Sequence, residues 1–167
     1  MHVLERFGWL AHCTPGFRAF MLANLREMRF SAGETMTHAG DDAGGAFGLI
    51  EGQAAFVTTI GNSAVGQTQT GFAGAWWGQG PLLGMARVGI ASARTACRVG
   101  VVPLPLLKAH LADQPLHWRD IAQALSDHFH VMAGAQSDCI IPDHRRQLAA
   151  TLLRFGGHRH RRFPIHA

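Results

Sequence analysis

Charge is scarce in this sequence: 16% of its 167 residues are Asp, Glu, Lys or Arg, against 47% that are apolar. That balance excludes a self-repelling disordered chain and points to a folded globular protein. Long apolar runs are missing too, and no stretch approaches the roughly eighteen residues that a membrane span needs. The opening residues, Met1-His2-Val3-Leu4-Glu5-Arg6, carry an acid and reach Gly8 without the basic region and apolar run of a signal peptide, so a cytoplasmic location is expected. Cysteine is sparse as well. Cys13, Cys97 and Cys139 stand far apart with no CxxC spacing, which argues against a disulfide framework, a zinc knuckle or an iron–sulfur cluster. GxSxG, HExxH and phosphate-loop motifs are absent, and no catalytic role is expected.

The charge that is present is unevenly placed. Residues 1–142 hold nine Lys and Arg against ten Asp and Glu, whereas residues 143–167 hold six Arg against Asp143 alone. The basic character belongs to the last segment, and the main body has no general electrostatic claim on nucleic acid.

Two short helices open the chain. Leu4, Phe7, Leu10 and Ala11 recur at helical spacing, and Phe17, Phe20, Met21, Leu22 and Leu25 follow Thr14-Pro15, an N-cap residue with proline at the first helical position. From Met28 the texture changes to short runs between glycine-rich turns. These run from Met28 to Phe30, Thr35 to His38, Ala46 to Ile50, Ala54 to Ile60, Ala64 to Thr70, Ala75 to Trp77, Ala91 to Ala96 and Arg98 to Val102. The breaks at Gly33, Gly40, Gly52, Gly61 and Gly71 supply turn chemistry, and the pattern predicts an eight-stranded antiparallel jelly-roll barrel.

After Pro103 and Pro105 the period returns to helix, over Leu106 to Asp113 and then over a long stretch from Leu116 to about Asp138. Trp118, Ala122, Leu125, Phe129 and Met132 alternate steps of four and three there, a heptad seam flanked by Arg119, Asp120, Asp127 and His128. Two readings stand: a homodimer interface along this stripe, which is favoured, or a helix packed on its own barrel. Pro142 ends the helix, and Asp143 caps another with Leu148, Ala149, Leu152 and Leu153 as its apolar face.

This order of elements resembles the cyclic-nucleotide-binding fold of the Crp/Fnr superfamily of transcription regulators. Phe30-Ser31-Ala32-Gly33-Glu34 with Ala39-Gly40-Asp41, Phe47-Gly48-Leu49-Ile50-Glu51-Gly52-Gln53-Ala54, and Asp143 with Arg145-Arg146-Gln147-Leu148-Ala149 and Leu152-Leu153 carry the likeness, which spans about residues 5–155. It implies a mainly β fold with helices, in three parts: a sensor barrel over 1–113, a dimerisation helix over 114–141, and over 142–167 the start of a DNA-binding domain followed by a basic tail.

The resemblance also implies a ligand site. The family's phosphate-binding cassette corresponds to Trp77 through Ala91, and the ligand-binding residues it implies are Gly78, Gln79, Gly80, Leu82, Arg87, Val88 and Gly89. A glycine lets the backbone approach a phosphate, a short helix points amides at it, and an arginine adds a two-pronged contact. Arg87 is the only Lys or Arg between Arg29 and Arg94. The chain departs from the family where a glutamate is replaced by Gln79 and a hydroxyl residue by Val88, and where Met132 and Ala133 stand for the pair that touches the base. The expected effector is therefore a cyclic nucleotide or another small anion, and an unliganded barrel is a third possibility.

Gly156 to Ala167 has no apolar period and leaves no room for a helix-turn-helix. It reads either as a remnant or as a basic arm in which Arg159, Arg161 and Arg162 touch phosphates. His158, His160 and His166 lie among these arginines and are not expected to form a metal site. Two other functions remain open: a dimeric interaction module that binds no DNA, and a cupin-type metal enzyme, for which only Glu34 and His38 offer ligands.

Overall fold

Alternating side chains and glycine turns build the β portion of this chain, and a computed structural model describes it over residues 3–58 and 67–155. The first helical pattern is cut short. Helix α1 covers Val3–Arg6, and a 3-10 helix over Trp9–His12 follows Gly8. Gly8 has φ +77°, and a Cβ there would lie 1.9 Å from the carbonyl oxygen of Gly74, so the break is imposed by close packing. Helix α2 covers Pro15–Ala23. Thr14 stands at its N-cap position without capping it, because its hydroxyl donates to Asp120 instead.

The strands are β1 (Arg26–Phe30), β2 (Thr35–Thr37), β3 (Gly45–Glu51), β4 (Ala54–Thr58), β5 (Gln67–Gly71), β6 (Trp76–Trp77), β7 (Gly89–Ala93) and β8 (Cys97–Pro103). The expected jelly-roll barrel is corrected in one respect: among the described residues its sheets do not close on each other. The strands pair antiparallel into two sheets of four, in the orders β1-β8-β3-β6 and β2-β7-β4-β5, and each sheet ends in margin strands instead of joining the other. Strand periodicity alone does not carry pairing, and an open sandwich and a closed barrel share the same alternation.

Strand β3 shows how the layers are built. All of Gly45–Ile50 is buried, since both faces of the strand are covered. Ala46 and Ile50 join Leu4, Trp9, Leu10, Phe17, Met21, Leu107 and Ile121 in a core on the helical side. Phe47 and Leu49 point the other way, into a second core with Ala54, Trp77, Ala91, Val99 and Val101 between the sheets. Trp76 and Trp77 likewise divide between the two cores.

Helix α3 covers Leu104–Asp113, with Pro105 in its first turn where no amide is needed. A 3-10 turn at Pro115–His117 leads into α4, Trp118–Cys139, and α5 covers His144–Phe155. Asp143 caps α5 as expected, its Oδ1 accepting from the amides of Arg145 and Arg146 at 2.8 and 3.2 Å. The chain divides into two compact units, Met1–Ala124 and Leu125–Ala167. The first turns of α4 belong to the first unit because Ile121 and Ala124 are buried in its core. Asp120, expected on a solvent-facing flank, is buried too. Among the described residues, no helix is long and apolar enough to cross a membrane.

Candidate functional site

The segment between β6 and β7 carries the site. After Trp77 the backbone turns at Gly78, φ +102°, where a Cβ would fall 2.3 Å from the Gly45 carbonyl oxygen and 2.9 Å from Arg87 Nη1. Gly80–Leu83 forms a 3-10 helix that ends at Gly84 in the left-handed region. Four residues are too few for a useful helix dipole, so any anion contact here falls to side chains and single amides.

Arg87 is 8% exposed, although arginine is almost never so buried without partners. Its backbone is held on both sides by the loop before β3: its amide donates to the Asp41 carbonyl at 2.9 Å, and its carbonyl accepts from Gly40 at 2.8 Å. Nη2 donates to the carbonyl oxygens of Ala43 and Gly45 at 3.0 and 3.2 Å. The guanidinium carbon sits 5.1 Å from the centre of the Phe47 ring. Phe47 stacks on Trp77 at 5.5 Å, and Phe56 meets Trp77 edge-on at 5.2 Å. Burial lowers the Arg87 pKa from the ordinary arginine value, with Asp41 acting in the opposite direction. Arginine stays charged through such a shift.

Among the buried side-chain donors of this segment, Arg87 Nε, Gln79 Nε2 and Trp77 Nε1 have no hydrogen-bond partner among the described residues. Gln79 and Trp77 are 6% and 8% exposed. Gly78 and Arg87 of the implied site are thus drawn together, with Gln79 next in the chain after Gly78. Gly80 is half-buried beside them in the 3-10 helix, and Gly89 opens β7 opposite Thr58. Two implied ligand residues face elsewhere. Leu82 is buried in the helical-side core, and Val88 is 67% exposed, one step out of phase with Arg87 at the entry to β7. The carbonyls of Ala43 and Gly45 were not legible as Arg87's seat. Their only signal was the Gly44-Gly45 pair.

Along α4, Trp118, Ala122, Leu125, Phe129 and Met132 are all exposed. Ala133 is half-buried. Arg159, Arg161 and Arg162, with His158, His160 and His166, lie outside the described residues. Glu34 and His38 serve local turns: the Glu34 carboxylate accepts from the Ser31 amide, and the His38 amide donates to Asp41 at 3.0 Å. Among the described residues, no group of three or more His, Cys, Asp or Glu could hold a metal ion.

A separate open cleft of about 580 Å³ lies at the other end of β3, lined by Arg29, Phe30, Ser31, Glu51 and Arg98. Gly45 pairs with Pro103 and Glu51 with Arg98, so the cleft and the Arg87 seat are roughly 20 Å apart along the strand. Arg98 is flanked by Glu27 and Glu51 at 3.4 and 3.6 Å.

No family model matches this chain, and no curated protein matches it. Solved structures do. A proposed cAMP-binding regulatory protein of Silicibacter pomeroyi superposes with a TM-score of 0.65 at 16% identity, over 91% of this chain and 70% of that one. The catabolite activator protein of Thermus thermophilus gives 0.60 at 19% identity, over 74% and 59%. The regulatory domain of Toxoplasma gondii PKA, solved with cAMP, gives 0.60 at 18% identity, over 72% and 48%. The chain thus spans about half to three fifths of the length of the last two. At these identities the likeness establishes the fold, that of cyclic-nucleotide-binding regulatory domains.

Proposed function

We propose that this chain is the effector-sensing part of a Crp-type transcription regulator: an anion binds around Gly78, Gln79 and Arg87, and the signal passes through a homodimer seam on α4. The reading places the protein in the cytoplasm and gives it no catalytic step. It takes α5 as the first helix of a DNA-binding domain. One observation carries it. Arg87 Nε, on a buried guanidinium, has no hydrogen-bond partner among the described residues, nor has Gln79 Nε2 in the same segment, and buried donors left unmade are costly unless something supplies an acceptor. Thermal-shift screening against cyclic AMP, cyclic di-GMP and a panel of small carboxylates tests it on wild type and Arg87→Gln. At least one anion should raise the midpoint of wild type alone; no Arg87-dependent response to any of them sinks the reading.

A second reading draws on the other half of the same guanidinium. Nη2 already donates to Ala43 and Gly45, and the planar group packs on Phe47. In that reading Arg87 is a structural clamp, and the domain is an unliganded dimeric interaction module. It requires Arg87→Gln to lower stability while no anion shifts the wild type.

A further inference from the structure

Helical segments meet at the elbow before α4, and two histidines close it. His110, in the last turn of α3, sets its Nε2 2.8 Å from Nδ1 of His117 in the 3-10 turn at Pro115–His117. The link between them is tight: the Gln114 amide donates to the His110 carbonyl at 2.8 Å, and the His117 amide donates to the Gln114 carbonyl at 3.0 Å. Both rings also rest on α2. His110 stacks on Phe20, and His117 lies 5.4 Å from Phe17, with the two imidazoles only 13° from parallel. A Cβ on Gly16, in the first turn of α2, would lie 3.6 Å from His117 Nε2.

A hydrogen bond between two imidazoles needs a proton on one nitrogen and a lone pair on the other. The bond therefore survives when both rings are neutral and when one is protonated. A second proton removes the acceptor and sets two cations against each other. Two titratable groups act on His110: His117, which opposes its proton, and Asp113, which favours it and accepts from Gln114 Nε2 at 3.0 Å. Burial opposes the proton more strongly than His117 does. From α2 the rings meet Phe17, Phe20 and Gly16, none of them charged. Arg18 of α2 donates to the Cys13 carbonyl, and the Asp120 carboxylate of α4 is engaged by Thr14.

The elbow leads directly into the anchored end of α4. Three residues past His117, Asp120 ties the helix to Thr14 and to the Trp9 indole, and Ile121 and Ala124 fill the core. All of these groups lie in the first compact unit. We propose that His110 and His117 form a proton-operated latch on the elbow between α3 and α4, closed near neutral pH and opened by the second proton in acid. The latch is an input to α4 separate from the anion site, and it does not depend on the sensing reading above. Because the fold disfavours the His110 proton, opening falls below pH 6.5, the ordinary histidine value.

Amide hydrogen exchange read by mass spectrometry on the full chain at pH 7.5 and pH 5.0, with EDTA present and intrinsic exchange corrected for, tests this on wild type and His110→Gln. A glutamine amide holds both a donor and an acceptor, so it pairs with either form of His117 and does not titrate. Peptides over residues 114–124 should exchange roughly three- to tenfold faster at the lower pH in wild type, the effect of one lost hydrogen bond, and equally at both in His110→Gln. An NMR titration of wild type gives a second measurement that needs no variant: the His110 ring should titrate below pH 6.5, and the Trp9 indole N–H, which donates to Asp120, should move over the same range. Exchange over 114–124 that is indifferent to pH in wild type overturns the latch. So does an acid-induced loss of protection that persists in a folded His110→Gln, or a Trp9 signal that ignores the titration of His110.

Discussion

The carboxylate of Asp120, in the first turn of α4, accepts from both the amide and the hydroxyl of Thr14, at 2.9 and 2.7 Å. Its backbone carbonyl also accepts from the Trp9 indole. One residue of the long helix thus fastens it to the 3-10 helix at Trp9–His12 and to the start of α2. Asp120→Ala leaves the Thr14 hydroxyl and amide without an acceptor in a partly buried place, and should cost about 2–4 kcal/mol, since each hydrogen bond to a charged group contributes about 1.5–3 kcal/mol. Asp120→Asn keeps one acceptor and should lose about half as much. Urea unfolding measures both; a loss below about 0.5 kcal/mol for the alanine variant would show that the contact does not hold α4.

Gly78 and Gly33 both have left-handed backbone, at φ +102° and +89°, but only Gly78 is crowded. Alanine at 33 meets nothing within 4 Å and carries only the conformational cost, about 1 kcal/mol. At 78 it drives a methyl into the Gly45 carbonyl and Arg87 Nη1, so a loss of about 3 kcal/mol or more is expected. Thermal melts of the two variants should differ by several degrees, and equal midpoints would mean that the Gly45–Gly78 approach is not tight.

Elements written in local periodicity are legible in the sequence. The short apolar run through Ala46–Ile50, the turn at Gly52 and the cap at Asp143 all needed only near neighbours. Contacts made by backbone atoms or across long separations were not. Asp120 read as a solvent-facing flank of the heptad, because its partner Thr14 lies 106 residues away. Arg87 was visible as an isolated cation, yet its seat is made of carbonyls, which leave no residue-type signal. Val88 and Leu82 belong to the site that the resemblance implies, although a period of two sends Val88 outward when Arg87 points in.

His110 of α3 stacks on Phe20 at 3.6 Å and shares a hydrogen bond of 2.8 Å with His117. Burial first, and then His117, lower its pKa from 6.5, while Asp113 opposes them. From α2 the pair meets Phe17 and Phe20, which carry no charge. A folded-state pKa below the unfolded value means that the unfolded chain binds the proton more readily, so stability from this group is lost as pH falls from about 6.5 through the lowered value. Stability measured from pH 8 to pH 5 should fall more steeply in wild type than in His110→Phe, which keeps the stack. Parallel profiles would remove His110 as the cause.

The two apolar faces of α4 have different fates within this chain. Ile121 is 1% exposed in the core of the first unit, whereas Phe129, on the heptad stripe, is 70% exposed. Fully burying a side chain such as Phe, Leu or Met contributes about 1.5–3 kcal/mol, and a two-fold seam uses each residue twice. Leu125, Phe129 and Met132 can therefore offset the cost of association, whereas a charge at the centre of such a seam cannot be desolvated cheaply. The expectation is a dimer at micromolar concentration by sedimentation velocity, with Phe129→Glu raising the dissociation constant about 100-fold or more at unchanged circular dichroism. Leu152→Glu, on the exposed face of α5, serves as the control and should leave the dimer intact. A wild-type chain that stays monomeric at high concentration, or a Phe129→Glu variant that still dimerises, would take the seam away from this stripe.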